Sequence, residues 1–130
     1  MNLRGRDLER GAAVAEFALV SALLALLFLA ALQLGYALHV RNTATAHVIE
    51  GARYGARADH TPADGVARAR ELLGTTLPGR YGTDVTARET VVGGVVVVEV
   101  SAELPLPVLG PLGPPSSMTV TGQAYAEDQP

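Results

Sequence analysis

Between Ala12 and Leu32, 19 of 21 residues are hydrophobic, the exceptions being Glu16 and Ser21. A helix of that composition has no polar face to turn toward water, so protein or lipid must cover it on every side. Protein is disfavoured by size, because the rest of a 130-residue chain offers too little surface to enclose it. At ~1.5 Å per residue, a helix from Phe17 to Leu38 would run about 33 Å, close to the ~30 Å hydrocarbon core of a bilayer. The segment predicts one transmembrane pass, and the lipid bilayer is the first expected partner.

Hydrophobic residues make up 48% of the chain, and the excess over an ordinary soluble composition sits in this one run. All ten basic residues are Arg, and 13 acidic residues leave a formal charge of −3, so no strongly basic face remains and no nucleic-acid partner is expected. Arg4, Arg6 and Arg10 precede the apolar run, which by the positive-inside rule predicts a cytoplasmic N-terminus and an extracytoplasmic C-terminal part. The absence of cysteine excludes a disulfide scaffold, a thiolate zinc site and a cysteine nucleophile.

The periodicity predicts an α+β fold with a 1–11 leader, a transmembrane helix over 12–40, a helix extension over 41–60 and a small extracytoplasmic α+β domain over 61–130. In the extension, Val40, Ala44, Val48, Ile49, Ala52 and Ala56 fall near one face, with Arg41, Thr45, Glu50, Arg53 and Arg57 largely elsewhere. Gly51 and Gly55 weaken that helix by about 1 kcal/mol each relative to Ala. Thr61-Pro62-Ala63-Asp64 reads as the start of a short second helix with Thr61 as cap. Its apolar side is Val66, Ala69, Leu72 and Leu73, and Gly74 is the expected stop.

The period then becomes two. Asp84–Val92 and Val95–Leu104 flank Gly93-Gly94, a hairpin signal, with Val96, Val98, Val100, Ala102 and Leu104 on one face and Glu99, Ser101 and Glu103 on the other. Val95–Val98 reads as core strand, or as a pairing surface if it lies at an edge. A Pro-rich irregular connection is expected over Pro105–Ser117. Met118–Ala126 completes a three-stranded antiparallel sheet, with Met118, Val120, Ala124 and Ala126 inward.

Catalytic chemistry is missing from the pattern. His39 and His47 are eight residues apart, too far to chelate one metal as an i,i+4 pair would, and with His60 they read as surface or interface residues. Glu50, Arg53 and Arg57 read as a solvated ion-pair stripe. Gly93-Gly94 lacks the Lys and following helix of a phosphate cradle. No enzyme activity, catalytic residue, metal site, cofactor or small-molecule substrate is expected.

The apolar run itself has several readings. A plain anchor leaves Glu16 unexplained, since a carboxylate within a membrane helix is a functional signal by default. A signal peptide would need cleavage near Ala44-Thr45-Ala46, well beyond Leu32. A third reading uses Glu16: Gly11 follows an Arg-bearing leader, and Glu16-Phe17 stands at the fifth and sixth positions beyond it, at the mouth of the apolar helix. This resembles a type IV prepilin processing site. Together with Gln33-Leu34-Gly35, Arg41-Asn42 and Glu50-Gly51-Ala52-Arg53-Tyr54-Gly55, it resembles the TadE-like family, pseudopilins of tight-adherence (Tad/Flp) pilus systems, closely over residues 10–57. Phe17 departs from the Tyr that major Flp pilins prefer there.

The resemblance implies a membrane-anchored minor subunit or assembly factor of a Tad/Flp-type pilus or secretion apparatus. It implies cleavage by a prepilin peptidase between Gly11 and Ala12, assembly roles for Glu16 and Phe17, and other pilin-like subunits as partners. The alternative is an unprocessed single-pass protein whose outer domain binds a protein partner.

Overall fold

A computed structural model describes residues 3–79, 81, 84–106 and 116–129, with side chains from residue 9 onward. Five elements follow in order: α1 (Leu3–Gly55), α2 (Pro62–Thr76), β1 (Asp84–Val92), β2 (Val95–Pro105) and β3 (Ser117–Tyr125). The class is α+β. By contacts the chain divides into two compact units, Met1–Gly35 and Tyr36–Pro130.

The first unit is helical over its described residues, as expected of an Ala- and Leu-rich stretch without proline. The helix already includes residues 3–11 of the polar leader, while residues 1–2 lie outside the described residues. Its large apolar side chains, including Val14, Phe17, Leu23, Leu27 and Phe28, are all exposed.

In the second unit, β1, β2 and β3 form an antiparallel sheet with β2 in the centre. Asp84 pairs with Glu103 and Val92 with Val95, closing a hairpin around Gly93 and Gly94. Both glycines have left-handed φ, +61° and +85°, as a type I′ hairpin turn requires. Val98, Val100, Ala102 and Leu104 of β2 are buried with Val85 of β1 and Val120 of β3, and Glu99, Ser101 and Glu103 stand on the opposite face. The central position of β2 removes the edge reading of Val95–Val98. Val97, on the outer face, is also buried, paired across the strands with Thr90 and Tyr125. Of the Pro-rich connection, residues 107–115 lie outside the described residues.

The last turns of α1 join the same core. Val40, Ala44, Val48, Ala52 and Ala56 recur every four residues and are buried in one cluster with the inner sheet face, Ala69, Leu73, Leu77 and Tyr81. Each fully buried Val or Leu contributes about 1.5–3 kcal/mol of transfer free energy. Glycine permits the closest approaches. A β-carbon on Gly122 of β3 would lie 2.5 Å from the Ile49 backbone nitrogen, and one on Gly55 would lie 3.0 Å from the Thr61 carbonyl oxygen.

α2 begins as its sequence dictates. The Asp64 N–H donates to Thr61 Oγ1 at 3.3 Å and the Thr61 N–H donates to Asp64 Oδ2 at 2.8 Å, a reciprocal capping box. It does not stop at Gly74. It runs to Thr76, and the N–H of Leu77 donates to the Leu73 carbonyl at 3.0 Å. Leu77 is buried, and that burial outweighs the ~1 kcal/mol cost of glycine within a helix.

Residues 126–129 tie the end of α1 to the start of β2. The Glu127 N–H donates to the Ala56 carbonyl at 2.8 Å, and its carboxylate accepts from the Ala58 N–H at 3.0 Å. The Gln129 amide accepts from the Val96 N–H at 2.8 Å and donates to the carbonyls of Val96 and Ala126 at 2.9 and 2.7 Å.

Candidate functional site

Gly11, Ala12, Glu16 and Phe17 all lie on α1 within the first unit, and all are exposed. Ala12 and Glu16 are four residues apart, one helical turn, and so share a face. Among the described residues, nothing lies within 4 Å of the position a Gly11 β-carbon would take. Phe17 is 74% exposed.

The stretch that follows is one continuous apolar surface. The most apolar window of α1 is wholly unburied, and Glu16 is its one carboxylate between Ala12 and Leu32. Water cannot hold such a surface without aggregation. This one long apolar helix near the N-terminus fits a single-pass membrane anchor.

The second unit holds polar clusters of another kind. Tyr54 and His60 meet edge-on at 4.1 Å between ring centroids, and Asp59 Oδ1 lies 2.8 Å from His60 Nδ1 and 3.6 Å from Arg57 Nε. The hydrogen bond from His60 holds the Asp59 carboxyl below its ordinary range, with smaller help from Arg57. Arg57 thus pairs with Asp59 rather than extending a stripe from Glu50 and Arg53, which are exposed. On the outer sheet face Arg88 Nη2 is 2.6 Å from Glu99 Oε1, and Gln123 Nε2 donates to Glu99 Oε2 at 2.6 Å. These bonds, that from Gln123 foremost, lower the Glu99 carboxyl.

His47 links α1 to α2. Its Nε2 lies 2.6 Å from Thr76 Oγ1, whose hydroxyl proton is donated to the Leu72 carbonyl, so Nε2 carries the donated proton. Desolvation lowers the His47 imidazole. His39 is exposed on α1. Among the described residues no group of three or more His, Cys, Asp or Glu is placed to hold a metal ion. Each of these clusters joins elements of the fold, and the one hydroxyl beside an imidazole among them, Thr76 at His47, is engaged with the Leu72 carbonyl.

What the pattern of residues did not reveal is the role of glycine at the α1–α2 crossing. Gly51 and Gly55 are spaced four apart and face Gly65 of α2. The repeated small residue was the available signal, but its partner is distant in sequence.

The family model described as TadE-like protein matches residues 11–53, about a third of the chain, from Gly11 to Arg53. It is the family that the residues resemble, one of Tad pilus-associated pseudopilins. No curated protein and no solved structure matches the chain.

Proposed function

We propose that this TadE-like chain is a minor subunit or assembly factor of a Tad/Flp-type pilus or secretion apparatus. A prepilin peptidase cuts it after Gly11, and it is held by one membrane pass with residues 1–11 cytoplasmic and the α+β unit outside. The observation that carries this reading is the coincidence of three features within the family match: exposed Gly11 and Ala12 residues, an unburied apolar helix, and Glu16 as its lone carboxylate. Packing against the sheet begins at Tyr36 and Val40, so the lipid-facing part ends near Gly35.

Cleavage gives Ala12 an α-ammonium group beside lipid. Glu16, one turn along the helix, can pair with that amine or with the amine of a neighbouring subunit, where low dielectric strengthens the attraction and an unpaired charge is costly. Glu16 then fixes the register of one helix against the next, with Phe17 beside it as an apolar contact. Ala12, Ala15, Ala18, Ala22 and Ala25 allow close helix approach. Binding and positioning account for the whole role, with no chemical step on a substrate.

Glu16→Gln tests the assembly role, because it keeps shape and removes charge. The expected outcome is normal membrane insertion with at least a tenfold loss of incorporation into the apparatus, read by co-isolation with its other pilin-like subunits. Undiminished incorporation would make Glu16 a passenger.

A further inference from the structure

The sheet has two edges, and they differ in chemistry. The N–H of Leu106 donates to the Ser116 carbonyl at 2.8 Å and that of Ala126 to the Val96 carbonyl at 3.0 Å, one at each end of the β2–β3 ladder. Even-numbered residues of β3 therefore bond toward β2, and antiparallel alternation turns the N–H and C=O groups of Thr119, Thr121 and Gln123 outward. Among the described residues, no hydrogen bond fills those outward backbone groups.

On β1 the same alternation turns Val85 outward, and its carbonyl is filled by Arg70 Nη2 of α2 at 3.1 Å. α2 packs against that strand, which also carries Asp84, Arg88 and Glu89. Charge and cover of this kind protect a sheet edge from added strands. β3 lacks the charge: its nine residues, Ser117–Tyr125, contain no charged residue and no proline, and its close contact with α1, at Gly122 against Ile49, lies on the inner face and leaves the edge groups open.

A cavity of about 420 Å³ adjoins the end of this edge, lined by Arg53, Ala56, Gln123, Ala124, Tyr125 and Glu127. Gln123 and Tyr125 stand on the outer face, whereas Arg53 of α1 and Ala56 just past its end lie on the inner face, so a cavity touching both wraps the edge itself. The Glu127 carboxylate is engaged by the Ala58 N–H. Arg53 is exposed and, among the described residues, forms no ion pair.

A row of open donors and acceptors recurring at every second residue matches an extended polypeptide, and the unpaired guanidinium beside it matches a carboxylate. We infer that β3 accepts a fourth strand: an extended segment of a neighbouring pilin-like subunit, with an acidic side chain against Arg53. This rests on the reading of the chain as a pilin-like subunit.

The test places a photo-crosslinking phenylalanine analogue at Thr121, Gln123 or, on the protected edge, Glu89. It is carried out in the full-length protein in cells that assemble the apparatus and carry an epitope-tagged pilin-like subunit. The expected result is an adduct with the tagged subunit from positions 121 and 123, at least tenfold weaker from 89, and reduced at least fivefold by Arg53→Glu. Thr121→Lys, whose side chain points to solvent on the outer face, should abolish the adduct from 123 while circular dichroism stays unchanged. Adducts only between two copies of this chain, equal adducts from position 89, or indifference to Arg53→Glu would overturn the inference. If Glu16-dependent incorporation persists without any β3 adduct, the docking edge fails and the pilin-like reading stands; if both are lost, both fail.

Discussion

Gly51 of α1 and Gly65 of α2 meet backbone to backbone: a β-carbon on Gly51 would lie 2.7 Å from the Gly65 carbonyl oxygen, and one on Gly65 would lie 2.6 Å from the Gly51 carbonyl oxygen. The clash is with main chain on both sides, so neither helix can relieve it by a rotamer change. Gly51→Ala gains up to ~1 kcal/mol of helix propensity but should lose more, because overpacking costs about 1–3 kcal/mol. A lower thermal midpoint in detergent is expected.

Gly74 is the converse case. It lies within α2, and nothing stands within 4 Å of its would-be β-carbon. Gly74→Ala should therefore stabilise the fold by about 0.5–1 kcal/mol, raising the same midpoint that Gly51→Ala lowers.

These two glycines also mark where sequence reasoning reaches its limit. The hairpin, its Gly93-Gly94 turn and the inward faces of β2 and β3 were legible because period-two alternation and left-handed turn chemistry are local. So were the cap at Thr61 and the Val40–Ala56 stripe, whose patterns need no partner to be recognised. The value of Gly51 was invisible, since a propensity scale records only its cost, while its benefit depends on Gly65 across the crossing. The stop at Gly74 failed for the same reason: the end of α2 is set by burial of Leu77 in a core formed from distant elements. The Gly11–Glu16 spacing was legible as a pattern, with exposure on one apolar helix supplied by the structure.

Acid should weaken the second unit in a defined sense. Hydrogen bonds from the Thr61 hydroxyl and backbone N–H hold Asp64 below its ordinary range, and those from Gln123 and Arg88 do the same for Glu99. Because folded carboxyls with lowered pKa bind protons less readily than unfolded ones, their stabilisation is complete above the unfolded range, about 3.9–4.3. It is lost as pH falls through the lower folded values. Unfolding measured between pH 7 and pH 2 should show this loss, and Asp64→Asn should shrink it. Thr61→Ala should cost about 1 kcal/mol at neutral pH.

His47 adds a separate step. Desolvation lowers its folded pKa, so the unfolded chain binds the proton more readily, and stability present above about pH 6.5 falls as pH drops through the lower folded value. His47→Gln should remove that step from the stability profile below about pH 6.5 and leave the carboxylate region untouched.

The strap over residues 126–129 predicts a local effect. Gln129→Ala removes the amide that bonds both polar groups of Val96, at a cost of about 0.5–1.5 kcal/mol. Hydrogen exchange at Val96, and at Ala58 where Glu127 bonds, should report it: exchange should speed at Val96 in Gln129→Ala and at Ala58 in Glu127→Ala.

The central claim is that Gly11 marks a processing site and Glu16 the register of the mature helix. Its most direct test is the N-terminal sequence of the membrane-extracted protein from cells with and without the prepilin peptidase. A mature chain beginning at Ala12 only when the peptidase is present is the predicted result, whereas an intact Met1 in peptidase-positive cells would contradict the account.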